Sequence, residues 1–162
     1  KKLSDFQIPI WFLKYNWFEC PDISVDYLNT QIEKLLDDSP HIDSLWVIGH
    51  SLGGYITTNF SEKWQKPIPI TIHSIAAPLK GSIRKESDCL INEKSEYIIN
   101  SSVRYTQLRT DHTSDGAFKN MEYDPQDVMI TNGAIVKMPK NWKNKRLGHN
   151  RSIQYVIDQL LQ

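Results

Sequence analysis

The sequence predicts an α/β fold with a mostly parallel sheet flanked by helices. Short apolar runs, of the kind that form strands, alternate along the chain with segments whose apolar residues recur at helical spacing. The strand-like runs are apolar throughout, without polar residues at every second position, which indicates a sheet covered on both faces. At 162 residues the chain is long enough for one domain with a sizeable core.

The first half of the chain contains two strand and helix pairs. Residues 8–15, IPIWFLKY, predict a buried strand, and residues 22–38 predict an amphipathic helix with Asp22 as its cap. Residues 45–48 predict a second strand, and residues 51–64 again carry apolar side chains at helical intervals. A sharp turn therefore joins this second strand directly to its helix.

The second half supplies further strands and a closing helix. Residues 68–78, IPITIHSIAAP, predict a third strand, and residues 82–100 are polar and predict a surface excursion that is partly helical. Residues 103–109 predict another strand, and residues 128–139 predict one more or two. The apolar stripe in residues 152–162 predicts the last helix.

Composition narrows the classes of partner. Lysine plus arginine equals aspartate plus glutamate, 19 residues each, so no whole-protein field draws the chain to nucleic acid or to an anionic membrane. No apolar run approaches the roughly 18 residues of a membrane span, which predicts a soluble chain without a transmembrane segment. Cys20 and Cys89 lie far apart without CxxC spacing, which favours two free thiols over a disulfide. Compartment, cytoplasmic or secreted, and oligomeric state stay open.

One short segment carries a chemical motif. Residues 49–53, Gly-His-Ser-Leu-Gly, match the pattern G-x-S-x-G at the junction of a strand and a helix. In this pattern the serine takes a strained backbone and projects from the turn, and side chains at the flanking positions would collide, which explains the glycines. Ser51 is then an exposed nucleophile and the Leu52 amide an oxyanion donor. The segment also fits a glycine-rich turn with an inert serine, or a phosphate-binding turn.

Three segments together resemble a known family. WVIGHSLGGYITTNF, SIAAPLKGS one strand later and LGHNRSIQYVIDQL at the end look like the lipase and esterase branch of the α/β-hydrolase superfamily. The resemblance covers nearly the whole chain, although only the elbow around Ser51 is a specific motif. It implies one α/β-hydrolase domain over residues 1–162, with a cap or lid insertion at about 82–100. It also implies a triad in the order Ser, Asp or Glu, His, which needs no metal and no organic cofactor.

The resemblance assigns the triad to particular residues. His149, between the last strand and the last helix, is the expected general base, although it also fits a surface histidine. Asp115 is the expected acid because SDGAF resembles the family's acid turn, and Asp111 is the alternative. Either aspartate also fits loop capping. Asp111, His112 and Asp115 are too ordinary a loop combination to indicate a metal cluster. The other four histidines, His41, His50, His73 and His112, fit the base position poorly.

The expected activity is hydrolysis of a small-molecule carboxylic ester through an acyl-enzyme. AAPLKGS resembles a lipase loop and points slightly to lipid or acyl esters. Thioesterases and amidases are neighbours within the same class. The alternative from another class is a non-catalytic binding module that keeps the elbow but lacks a competent oxyanion hole.

One strand of the family has no counterpart in the sequence. The strand that donates the second oxyanion amide lies next to the elbow strand in the family, and only residues 8–15 precede the first helix here. We therefore expect the chain to be the C-terminal part of a longer protein, and the absence of an initiator methionine agrees with this expectation. Otherwise residues 8–15 pair directly with the elbow strand, or the protein is a pseudo-enzyme. The aromatics Trp11, Phe12, Trp17 and Phe18 fit core packing better than an acyl pocket.

Overall fold

The computed structural model describes residues 9–16, 18–80 and 94–160. It confirms an α/β fold with a mostly parallel central sheet flanked by helices. No helix in these ranges is long and apolar enough to cross a membrane. The elements are, in chain order, α1 (Pro21–Asp38), β1 (Leu45–His50), α2 (Leu52–Lys63), β2 (Ile70–Ile75), β3 (Glu96–Ile98), β4 (Val103–Arg109), β5 (Met129–Thr131), β6 (Ala134–Lys137), β7 (Asn141–Trp142), β8 (Lys145–Arg146) and α3 (Gly148–Leu160).

The central sheet positions the candidate site. Its four strands are parallel and lie in the order β1-β2-β4-β6. His50 at the end of β1 lies opposite Ile75 of β2, which lies opposite Leu108 of β4. Because the strands are parallel and in register, their carboxyl ends meet at one end of the sheet, where sites form in such folds. The loops that follow β1 and β4 both begin there.

Two hydrophobic clusters cover the two faces of the sheet. Ile70 and Ile72 of β2 pack in the cluster that includes α1 and α2, with Phe60 at its centre. Ile75 points to the opposite face, because side chains alternate along a strand, and it packs with Val156 of α3. Burying each large apolar side chain contributes roughly 1.5–3 kcal/mol. The two clusters therefore hold α2 and α3 against the same sheet from opposite sides.

The predicted strand at 8–15 is wrong for residues 9–15, which form no regular structure. Residue 8 lies outside the described residues. A strand needs a neighbour, and β1, at the edge of the sheet, pairs only with β2 among the described strands. Direct pairing of this segment with the elbow strand is therefore wrong as well.

The aromatic side chains around this segment are exposed. Phe12 is 91 %, Phe18 77 % and Trp11 57 % exposed, so core packing is the wrong interpretation for these three residues. Trp17 lies outside the described residues. Without a partner strand, the segment lacks the layer of structure that would bury its apolar side chains.

The start of α1 also differs from the prediction. Cys20 occupies the N-cap position and Pro21 the first helical position, so Asp22 lies inside the first turn. The fixed backbone angle of proline suits that position, and the helix dipole favours an acidic residue there. Cys20 is disulfide-bonded, so the expectation of a free thiol is wrong for this residue, since spacing along the chain does not report distance in space. Cys89 lies outside the described residues.

The rest of the second half follows the prediction in part. Residues 82–93 of the expected cap lie outside the described residues, while β3 is a strand and not helical, because it pairs with β5 in a small parallel sheet. The segment 128–139 forms two strands, β5 and β6, and each joins a different sheet. The hairpin of β7 and β8 has no apolar run that would have predicted it.

Candidate active site

Ser51 occupies a strained turn between β1 and α2. Its φ is 54° and its ψ −122°, a backbone conformation that is uncommon outside glycine and that costs of order 1–3 kcal/mol. Two backbone hydrogen bonds hold the turn: the Ser51 amide donates to the Ile75 carbonyl at 2.9 Å, and the Tyr55 amide donates to the Ser51 carbonyl at 3.1 Å. The strained serine expected from the motif is therefore present, although it is half-buried and not fully exposed as the motif predicts.

The glycines around Ser51 have different roles. A Cβ atom at Gly49 would lie 2.4 Å from the Gly53 carbonyl oxygen, and one at Gly54 would lie 2.7 Å from the Ala77 Cβ atom. Only glycine permits these approaches. At Gly53 the nearest atom is the Tyr15 hydroxyl oxygen at 3.6 Å, an ordinary contact. The predicted collision is thus confirmed at Gly49 and wrong at Gly53.

Asp115 and His149 form a hydrogen-bonded pair. His149 Nδ1 lies 3.2 Å from Asp115 Oδ2, and the Asp115 side chain is fully buried. Burial by itself raises the pKa of Asp115, but hydrogen bonds from His149, Thr110 and the Ala117 amide outweigh it, so the pKa is lowered below its ordinary value. The carboxylate is then ionised at neutral pH and only accepts hydrogen bonds, which assigns the proton to His149 Nδ1. His149 Nε2 is left to act on a substrate or nucleophile.

The start of α3 directs the His149 ring. Gly148 has a φ of 56°, which favours glycine, and the helix begins at this residue. The His149 ring lies between two others: the Phe118 centroid is 5.0 Å away and nearly perpendicular, and the His50 centroid is 4.6 Å away. These contacts and the bond to Asp115 leave the imidazole little freedom to rotate.

The turn at Ser51 and the start of α3 are in contact through His50. Its Nε2 lies 3.1 Å from the His149 carbonyl oxygen, so the residue before Ser51 touches the residue expected to be the base. Burial, followed by the nearby His149, lowers the pKa of His50. No hydrogen bond joins the Ser51 hydroxyl to His149 within the described residues. Such catalytic bonds are often long before a substrate binds.

The other predicted residues are also placed. Leu52 is the first residue of α2, where helix geometry leaves the amide without a partner inside the helix. Asp111 caps the 3-10 turn His112–Ser114 by accepting from the Ser114 amide at 3.0 Å and the Thr113 hydroxyl at 2.7 Å. The bond from Thr113 is the main reason that its pKa is lowered. The capping interpretation describes both aspartates, because Asp115 Oδ1 also accepts from the Ala117 amide at 2.8 Å. Asp115 differs from Asp111 in that it contacts His149 as well.

These residues form no metal cluster, and an open cavity lies beside them. No group of three or more metal-binding side chains occurs in the part of the chain that the structure describes. His112 Nε2 instead lies 2.9 Å from the Phe118 carbonyl oxygen. An open cavity of about 390 Å³ lies beside His149, and its lining includes Arg146 and Arg151 but no aromatic side chain.

Two functional candidates were missed by the sequence analysis. Thr110 donates its hydroxyl proton to Asp115 Oδ2, and Gln126 bonds to both backbone groups of Thr110. The only available signal for Thr110 was its position directly after a predicted strand, and Gln126 had none. No protein-family model and no curated protein matches the chain, so the geometry of these residues is what bears on function.

Proposed function

We propose that the chain is a serine ester hydrolase of the α/β-hydrolase type, with Ser51 as nucleophile, His149 as general base and Asp115 as its acidic partner. The observation that carries the proposal is the 3.2 Å hydrogen bond between buried Asp115 and His149. The His149 ring contacts His50, the residue before a serine that is held at a φ of 54°. A buried carboxylate paired with a partly buried imidazole, close to a strained and half-buried serine, is the arrangement that activates a serine hydroxyl.

The reaction uses these residues in two steps. His149 Nε2 accepts the Ser51 hydroxyl proton while the serine oxygen attacks the ester carbonyl carbon, and the Leu52 amide stabilises the resulting oxyanion. His149 then gives the proton to the leaving alkoxide as the carbon–oxygen bond breaks, which leaves an acyl-enzyme. Water, deprotonated by the same imidazole, releases the acid and restores the Ser51 hydroxyl. Asp115 stabilises the imidazolium in both steps.

The substrate is a small-molecule carboxylic ester. The arginine-containing cavity beside His149 suits a polar leaving group better than an acyl chain, because apolar substrates need largely apolar pockets. We therefore propose that short, polar esters are hydrolysed faster than long-chain lipid esters. A series of nitrophenyl esters of increasing acyl length measures this preference directly.

Labelling by a fluorophosphonate probe tests the catalytic assignment with matched pairs of variants. Ser51→Ala should abolish labelling, and His149→Gln should slow it by about a thousandfold or more. His112→Gln, which changes a nearby histidine bonded only to a backbone carbonyl, should label normally. Asp115→Asn should be strongly impaired and Asp111→Asn nearly normal. A folded wild-type protein that is not labelled, or equal rates in the two histidine variants, would contradict the proposal.

A non-catalytic binding module is the second candidate. It is favoured by the absence of a Ser51–His149 hydrogen bond within the described residues. It is also favoured by the outer edge of β1, where the family carries its second oxyanion strand and where no described strand pairs. One missing oxyanion donor costs about 3 kcal/mol of transition-state stabilisation. Folded protein that binds esters without being labelled would favour this candidate.

A further inference from the structure

A buried chain of polar side chains reaches Asp115 from outside the proposed triad. Arg109 Nε donates to Gln107 Oε1 at 3.0 Å, and Gln107 Nε2 donates to the Gln126 carbonyl at 2.8 Å. Gln126 bonds to Thr110, which bonds to Asp115. The exposed fraction of each of these residues is 7 % or less. Buried polar groups cost free energy unless they are paired, so this network suggests a role beyond packing.

The Thr110 hydroxyl donates its hydrogen bond to the Asp115 carboxylate. Its oxygen lies 2.5 Å from Asp115 Oδ2 and 3.2 Å from Gln126 Oε1. A hydroxyl has one proton to donate, and the shorter contact is to a charged acceptor, where hydrogen bonds are stronger. Asp115 Oδ2 therefore accepts from both Thr110 and His149, while Oδ1 accepts from the Ala117 amide at 2.8 Å.

Gln126 fixes Thr110 in place. Its Oε1 accepts from the Thr110 amide at 2.9 Å, and its Nε2 donates to the Thr110 carbonyl at 3.1 Å. One side chain thus pairs both backbone groups of the residue after β4, as a neighbouring strand would. The same Nε2 also lies 3.1 Å from Asp124 Oδ1. Thr110 is held at its position by groups that contact neither His149 nor Ser51.

We propose that Thr110, held by Gln126, is a positioning residue that orients Asp115 Oδ2 towards His149. Its hydrogen bond also limits how strongly the carboxylate stabilises the His149 imidazolium. The inference rests on the proposed function, because it gives the Asp115–His149 pair its catalytic meaning. A carboxylate that shares one oxygen between two donors is less basic than one with a single donor. The imidazolium formed during catalysis therefore returns its proton more readily to the leaving group.

Charged groups approach the pair from several elements. Arg146 and Arg151 line the cavity beside His149, and the Arg151 guanidinium donates to the Arg146 and Trp142 carbonyls. From β1, His50 faces the His149 ring, and on β4 the Arg109 guanidinium is paired with Asp127 at 2.9 Å. Asp111 and Asp124 are occupied by bonds to their own loops. Removing the Thr110 hydroxyl changes none of these groups directly, so its effect on Asp115 can be measured separately.

The test is an NMR titration of the histidine rings, with His149 assigned from the His149→Gln variant. Thr110→Val removes the hydroxyl with little change of shape, and Thr110→Ser keeps it. Thr113→Val is the matched control, because the Thr113 hydroxyl also bonds to a loop carboxylate, Asp111, at 2.7 Å. We expect the His149 titration to move to higher pH by about 0.5–1 unit in Thr110→Val and to stay unchanged in the other two variants.

The labelling rate supplies a second measurement. The acidic limb of its pH profile should move up by the same amount in Thr110→Val, with a lower maximum rate and an unchanged probe concentration at half-saturation. An unmoved His149 titration in folded Thr110→Val overturns the inference, and Thr110→Ala provides the same test if the valine variant does not fold. Absence of labelling in wild type would overturn the proposed function, whereas the NMR titration would still decide the role of Thr110.

Discussion

Alanine substitutions of the elbow glycines should show which of them are required by close packing and which merely belong to the sequence motif. Gly49 and Gly53 are both fixed positions of the pattern G-x-S-x-G, yet their surroundings differ. A Cβ atom at Gly49 would lie 2.4 Å from a backbone oxygen of α2, whereas at Gly53 the nearest neighbour would be 3.6 Å away. We therefore expect Gly49→Ala to destabilise the fold and Gly53→Ala to leave its stability unchanged or to raise it.

The magnitudes follow from these distances. The Gly49 Cβ atom would force the first turn of α2 away from β1, and overpacking of this kind costs about 1–3 kcal/mol. Gly53 lies inside α2, where replacing glycine by alanine gains roughly 0.5–1 kcal/mol. The two variants should differ by about 1.5–4 kcal/mol, or roughly 3–16 °C in Tm for a domain of this size.

Thermal unfolding of wild type, Gly49→Ala and Gly53→Ala measures this difference. Gly54→Ala serves as a second crowded position, since its Cβ atom would lie 2.7 Å from that of Ala77. A Gly49→Ala protein as stable as wild type, or a Gly53→Ala protein less stable than Gly49→Ala, would refute the packing argument for the elbow.

Three further predictions concern buried polar groups. Arg109→Ala should lower the free energy of unfolding, measured in urea, by about 2–4 kcal/mol, because it leaves buried acceptors unpaired. The control Asp127→Ala removes an exposed carboxylate and should lower the free energy of unfolding by less than about 1 kcal/mol. Burial raises the pKa of Tyr105 to about 12, so the free energy of unfolding should fall as pH rises from about 10 to 12, and less steeply in Tyr105→Phe. Burial lowers the pKa of His73, whose Nδ1 is unpaired, so acidification below about pH 6.5 should destabilise wild type more than His73→Leu, by up to 1.4 kcal/mol per pH unit.

The sequence predicts best where the information is local. The strand, turn and helix around Ser51 follow from an apolar run, glycines and helical periodicity within about twenty residues, and the structure has all three elements. His149 and Asp115 were assigned from a resemblance, and the structure brings them within 3.2 Å of each other. Their catalytic roles remain predictions.

The sequence predicts worst where an element depends on a distant partner. Residues 9–15 have the composition of a buried strand, but strand preference reflects packing against neighbours more than an intrinsic tendency. No described strand pairs with them, and residues 9–14 remain exposed, whereas Tyr15 packs partly buried against the core. Gln126 was missed for the same reason: its bonds to Thr110 join residues 16 positions apart, and no spacing along the chain reveals a side chain that substitutes for a strand.

Strand register makes the candidate site possible at all. Ile75 lies opposite both His50 and Leu108, so the chain leaves β1 and β4 at the same level of the sheet. A slip of one residue would move a loop by about 3.3 Å and turn its side chains to the other face. The hydrogen bonds of Asp115 span 3.2 Å or less and could not survive such a shift. Strand pairing no longer holds the backbone beyond the end of β4. There the buried hydrogen bonds of Gln126 to Thr110 hold the backbone next to Asp115 in position.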